Sequence, residues 1–266
     1  MLALLEPLFQ GQWRPYGATL ACASAMPPDA LAVSRLLADE ALLGELLQRQ
    51  AHRLGSGDLR VVASWWSNAY LEALLPPLAA AATLLHHCLP AAAGDMALSL
   101  DRHGAPAVFH ITSLGLPLDG ADAQQRYGAL ITEHLAPLFA RLAALAGVPP
   151  KILWGNASRF LDNLLREAAG LPGAAARVAA DRSALLEQAH WADGSRQPLH
   201  ARARTIRIVD GGGGEAHVTL HRQCCLYYLL PTEGYCGRCP LDPRYRGLTA
   251  AAPGGQAAGR RQSPAR

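Results

Sequence analysis

Four cysteines, Cys224, Cys225, Cys236 and Cys239, fall within sixteen residues of a 266-residue chain that holds six in all. Their pattern is C-C-x10-C-x2-C. Thiolates are soft donors that select zinc or iron–sulfur centres. Two residues between Cys236 and Cys239 let the chain curl so that both sulfurs face one centre. Gly237 relieves crowding in that turn and Pro240 closes it. The adjacent pair is more demanding. Neighbouring side chains of an extended strand point to opposite faces, so Cys224 and Cys225 must sit in a turn or at a helix end. A [2Fe–2S] cluster spreads its four thiolates over two irons and eases that constraint. Zinc also takes four cysteines, though two C-x2-C knuckles suit its tetrahedral site more naturally. Four buried free thiols are a third reading, and their concentration in one short stretch argues against it. The expectation is a metal centre, with a [2Fe–2S] cluster preferred to structural zinc.

Other residues surround this motif or stand apart from it. Arg222, Gln223 and Arg238 flank the cysteines, either as groups that tune the centre or touch a substrate, or as plain surface arginines. Tyr227, Tyr228 and Tyr235 read as shielding or as rim aromatics. Trp65, Trp66 and Trp154 are candidates for a pocket lining or for core packing. His86 and His87 sit beside Cys88 on a stretch that reads as helix, with no second ligand group at metal spacing. His217 and His221 precede the motif, but four cysteines already complete a ligand set. Cys22 and Cys88 lie among apolar or small residues and read as inert thiols.

The elements that must position these residues are mostly helical. Residues 1–27 read as an irregular lead-in. Asp29 is the expected N-cap of an amphipathic helix reaching Leu54, where Gly55-Ser56-Gly57 stops it. Residues 58–66 are ambiguous between strand and helix start. Residues 67–89 read as helix on both sides of a break at Pro76-Pro77. Met96–Leu100 and Ala107–Ile111 form a hairpin with Gly104 in its turn. Helices follow over 121–146, Ser158–Ala169 and Ala174–Ala189. A second hairpin joins Thr205–Val209 to His217–His221 through Gly211–Gly214. The fold class is α+β: mostly helical, with two hairpins expected to share one small antiparallel sheet, since no βαβ rhythm appears. The expected division is a helical region over 1–210, a metal-binding segment over 211–245 and a disordered tail over 246–266.

Composition narrows the function. Half the residues are hydrophobic, 17% are charged and the net charge is +3, too small to argue for nucleic acid. Arg196, Arg202, Arg204, Arg207 and Arg222 gather against Asp210 and Glu215, as a solvated hairpin face or as a docking face for an acidic donor or anionic ligand. The N-terminus lacks a basic leader and carries Glu6, so no secretory signal is expected. The longest apolar run, about Ala73 to Leu85, is too short to span a bilayer. A cytoplasmic protein follows, and in that reducing compartment a cysteine cluster points to metal. There is no phosphate loop, no dinucleotide glycine fingerprint and no G-x-S-x-G elbow.

Arg222-Gln-Cys-Cys-Leu-Tyr-Tyr and Cys236-Gly-Arg-Cys-Pro240, after a mostly helical region, resemble the FhuF-like siderophore ferric-iron reductases. Trp154-Gly155-Asn156-Ala157 and the Trp66/Ser67 region with Tyr70 are similar as well. The resemblance covers residues 1 to about 245. It implies a [2Fe–2S] cluster on Cys224, Cys225, Cys236 and Cys239, and cytoplasmic reduction of hydroxamate-type ferric siderophores, possible contact with the inner face of the membrane included. The electron donor is left unidentified. Trp66, Trp154, Asn156, Arg222 and Arg238 become the candidate substrate contacts. A related domain occurs in siderophore synthetases, so fold alone does not separate reduction from synthesis. A zinc-stabilised binding module and a synthetase-like protein are the alternatives.

Overall fold

The computed structural model describes residues 1–200, 204–209 and 215–246. The Gly211–Gly214 turn, Arg202, Asp210 and the tail from residue 247 lie outside them.

Two of the first strands lie where the sequence shows no pattern. After a short helix α1 (Arg14–Gly17), β1 (Leu20–Cys22) and β2 (Leu31–Ala32) lead into α2 (Val33–Ala38) and α3 (Glu40–Leu54). The expected single helix from Asp29 is therefore split. Its effective N-cap is Asp39, whose carboxylate accepts from Leu42 N at 3.0 Å. Gly55 ends α3 in the left-handed region, at φ +60°. Asp58 caps α4 (Leu59–Ala79), which settles residues 58–66 as helix.

Most of helix α4 is buried, with Val61, Val62, Trp66, Tyr70, Leu71 and Leu74 in the core, while Arg60 and Glu72 reach solvent. Pro76 and Pro77 lie inside it rather than breaking it. The helix then widens into a π turn at Ala80–Leu84. The helix ends there. His87–Cys88 is a strand, β3, so the expected helical setting of His86 and His87 is incorrect.

The hairpin is present as β4 (Ala97–Leu100) and β5 (Pro106–Ile111), with Gly104 at φ +80° and Asp101 accepting from His103 N and Ala105 N. It does not share a sheet with the second hairpin. β1 pairs in parallel with β5, and β2 antiparallel with β4, giving the order β1-β5-β4-β2. Both hairpin edges are thereby taken. A short strand β6 (Leu116–Pro117) pairs with β3.

Asp122 and Gln125 form a capping box for α5 (Ala123–Gly128). A π segment at Ala129–Leu135 joins α5 to α6 (Ala136–Ala146), so the run Ala123–Ala146 is one long helix. That run is apolar and long enough by composition to cross a bilayer. In this fold Leu138, Phe139 and Leu142 are buried in the core. Helix α7 (Pro150–Ala168) starts eight residues before the expected Ser158, because a proline in the first turn opens a helix rather than blocking it. It lies along α4. Helix α8 (Ala175–Arg182) continues into a π turn ending at Glu187. The last strands, β7 (Arg204–Val209) and β8 (Glu215–Leu220), form a ribbon of their own.

Two polar groups of the core connect helices. Arg126 pairs with Asp181, both nearly fully buried. The other Asp181 oxygen accepts from Thr83 Oγ1 at 2.7 Å. His134 Nδ1 donates to the Ala91 carbonyl at 2.9 Å, and its Nε2 accepts from Tyr70 Oη at 2.5 Å.

Candidate functional site

Strand β8 delivers the chain to His221, whose N–H donates to the Arg238 carbonyl at 2.9 Å. That bond ties the start of the cysteine segment to its end. Cys224 and Cys225 lie in an irregular stretch. Leu226 then takes the left-handed conformation, at φ +66°, before a short 3-10 turn at Tyr227–Leu229. The adjacent pair thus sits in a bend, as its chemistry demands. The C-x2-C turn is closed by Cys239 N donating to Cys236 O at 2.9 Å. Tyr245 Oη supports it from outside through the Gly237 carbonyl at 2.7 Å.

The sulfurs approach one another in pairs. Cys224 Sγ lies 3.6 Å from Cys239 Sγ and accepts from Leu226 N at 3.3 Å. Cys224 and Cys236 are the neighbours that act on the Cys225 thiol. All four are free thiols, with Cys224, Cys225 and Cys239 buried and Cys236 half-buried. Hydrogen bonds from Cys224, then from Cys236, hold Cys225 far below the usual thiol range, against the cost of burial. Cys224 and Cys236 are pushed up by donating to Cys225 and by burial. Ionising the whole quartet requires a compensating cation, because like charges this close raise one another's pKa. Among the described residues no three His, Cys, Asp or Glu groups enclose a point tightly enough to hold a single ion; the sulfurs meet in pairs.

A polar ladder on α4 and α7 lies beneath them. Ser64 Oγ donates to the Cys225 carbonyl at 2.8 Å. Asn156 Nδ2 reaches Ser64 Oγ at 3.0 Å and Ser67 Oγ at 3.2 Å. Arg159 Nη2 donates to Asn156 Oδ1 and to Asn68 Oδ1, each at 3.2 Å. The Arg159 charge acts on Cys225, Cys236 and His221. Burial, then Arg159 and Arg238, push His221 down to about 4, so it is neutral near pH 7. Gly155 lets the loop approach α7: a Cβ there would stand 2.8 Å from Gln223 Cβ.

The sequence candidates divide accordingly. Trp66 is fully buried, with Nε1 donating to the Gly104 carbonyl at 3.3 Å, so it is core and not a substrate contact. Asn156 is 2% exposed and belongs to the ladder, which corrects the same expectation for it. Trp65 lies under Arg53. Trp154 is half-buried, edge-on to Phe139 with centroids 4.9 Å apart. Arg222 is exposed and donates to the His200 carbonyl. Arg238 is exposed beside His221 and Arg159. Tyr228 and Tyr235 stack 4.8 Å apart. Burial raises Tyr227, which bonds Asn68. Cys22 and Cys88 stand apart from the quartet, half-buried. The sequence reading passed over Arg159 and Ser64. Their signal was the spacing Ser64-x2-Ser67-Asn68 and Asn156-x2-Arg159, a polar stripe at helical period on apolar helices.

Next to the quartet opens a cleft of about 1290 Å³. The Ala123–Ala146 run, the start of α7 and the Ala189–His200 loop form its walls. Trp154, Trp191 and Arg222 line it, as does Gln223, the residue before Cys224.

The family described as "Ferric iron reductase FhuF-like transporter" matches residues 64–213, more than half of the chain. The chain belongs to the FhuF-like family. The matched span opens on Ser64, contains most of α4, all of α7 and most of the cleft lining, and ends before the four cysteines. No curated protein matches. Among solved structures, the FhuF-like chain is similar to aerobactin synthetase IucA from a hypervirulent pathotype of Klebsiella pneumoniae. The ATP-bound form gives 15% identity and a TM-score of 0.52, over 65% of this chain and 37% of the synthetase. A second IucA structure gives the same identity and TM-score over 38% of its length. Aerobactin synthetase IucC gives 17% identity and a TM-score of 0.47. At this identity the IucA likeness shows a shared fold, and this chain spans little more than a third of that enzyme.

Proposed function

We propose that this FhuF-like protein is a ferric-siderophore reductase of the cytoplasm. Cys224, Cys225, Cys236 and Cys239 hold a [2Fe–2S] cluster, and the cleft holds the ferric chelate. The observation that supports this reading is two pairs of neighbouring thiols in one folded loop, joined through Gln223 to the wall of a large cleft, on a scaffold of the ferric iron reductase family. An all-sulfur donor set suits such a cluster, which supplies one electron at a time when bound. The chain's own residues do the rest. Ser64, Asn156 and Arg159 fix the Cys225 backbone, while Leu226 N–H stabilises charge on Cys224. Trp154 and Arg222 border the chelate. In this division the helical region to about residue 210 binds substrate, and the segment 211–245 carries the metal.

Siderophores hold Fe(III) through hard anionic oxygens. Fe(II) has lower charge density and binds them far less tightly, so adding one electron loosens the complex. Hydroxamate-type chelates are the substrate class that the resemblance implies, and an unidentified one-electron donor completes the cycle.

Protein purified without oxygen should be red-brown, contain iron and acid-labile sulfide, and bleach on reduction. Cys224→Ser should remove most of that iron and colour. A colourless protein with one zinc per chain would instead establish a zinc-stabilised module. The shared fold with IucA favours a second reading, siderophore assembly. ATP-dependent condensation of a carboxylate with an amine, without ferric reductase activity, would establish that one.

A further inference from the structure

The cleft wall carries three cations, Lys151, Arg196 and Arg222, against two carboxylates, Glu133 and Asp193. Asp193 already accepts from Ser195 and from Gln124. Lys151 and Arg196 enter no ion pair among the described residues. Gln197 lines the same cleft and is 1% exposed. Its Oε1 accepts from Leu199 N at 3.0 Å, but its buried Nε2 has no acceptor among the described residues. His200, three residues on, lines the cleft too, and its buried Nδ1 is equally without a partner among them. Buried donors without acceptors are costly, so such groups are normally satisfied. The Gln197 amide N–H, and the His200 Nδ1–H in the tautomer that carries its proton there, stand beside surplus positive charge and are complementary to an acceptor-only, negatively charged group.

A chelate whose ionised oxygens are all on the metal offers no such group. We infer that the cleft recognises an anionic ferric chelate through a carboxylate that iron does not hold. Gln197 Nε2 and His200 Nδ1 donate to that carboxylate, and Arg196 and Arg222 supply the field. The inference deepens the reductase reading, on which it rests for the iron, by naming the feature that selects the substrate.

The test uses gallium(III) complexes, which share the charge of the ferric ones but do not accept an electron. The full chain is titrated with the gallium complex of a hydroxamate chelator bearing a free carboxylate, and with that of its methyl ester. Quenching of Trp154 and Trp191 reports binding. The carboxylate form should bind about tenfold more tightly, as a charge-assisted hydrogen bond implies, and added salt should shrink the preference. Gln197→Glu keeps the acceptor for Leu199 N–H but sets like charge against the ligand, and should erase the preference. Arg196→Gln changes an exposed side chain that the fold does not need, and should reduce it. Equal affinity for the two complexes, or a preference untouched in both variants, overturns the inference and leaves the reductase reading standing. Binding of neither complex overturns both, since the cleft would then hold no chelate.

Discussion

Arg159 is the single cation that α7 aims at the sulfurs, and its two hydrogen bonds to Asn68 and Asn156 fix it there. A fixed positive charge favours the more negative state of a nearby redox group. Arg159→Gln should therefore lower the reduction potential of the centre by about 30–60 mV, the equivalent of roughly 1 kcal/mol for one electron. Potentiometric titration followed by EPR reads this directly, with iron content as the control for binding. An unchanged potential at full iron content would remove Arg159 from the tuning role. At this scale the cysteine motif was legible because it is short and local. Trp66 and Asn156 were misread for one reason. Sequence reveals that a residue is aromatic or polar, but not which face of its helix is buried: Trp66 enters the core from α4, and Asn156 enters the seam with α4 from α7.

Helices α4 and α7 make a polar seam, and the cysteine loop rests on it through Gly155 and Ser64. Gly155→Ala forces Gln223 away, because the new Cβ meets its side chain at 2.8 Å. The variant should keep the far-ultraviolet CD of the parent yet lose most of its bound iron on desalting. Full iron retention would show that the loop tolerates the shift. The periodic elements α3, α5–α6 and part of α7 were legible, since local pattern carries them. β1 and β2 were not. Leu20 pairs with Phe109 and Leu31 with Leu98, so the partners lie far off in sequence and no nearby residue signals the strand. The same strands occupy the edges that the second hairpin was expected to use. The expected start at Ser158 lies too late, because Pro150 opens α7 in its first turn, which proline tolerates.

Two buried polar groups set the response of the whole molecule to acid and to mutation. His134 is pushed down to about 4 by burial, from an ordinary 6.5. The unfolded chain therefore binds a proton that the folded one refuses between these values, and stability falls as pH drops from about 6.5 to 4. The loss should reach about 3 kcal/mol. Urea midpoints measured across that range, and a flatter profile in His134→Gln, check it. Asp181→Ala leaves the buried Arg126 without its partner and should cost about 3–5 kcal/mol. A thermal midpoint close to that of the parent would contradict this.

The bond from Ser64 to Cys225 joins residues 161 apart in the chain. Closing so long a loop is entropically expensive until other contacts have shortened it. The ribosome makes the cysteines after α4 and α7, the helices that receive them. In the reductase reading proposed above, maturation would then have an order: the scaffold first, the cluster second. On refolding with iron and sulfide supplied, helical ellipticity should recover before visible absorption, and the lag between them measures how long the site waits for its template.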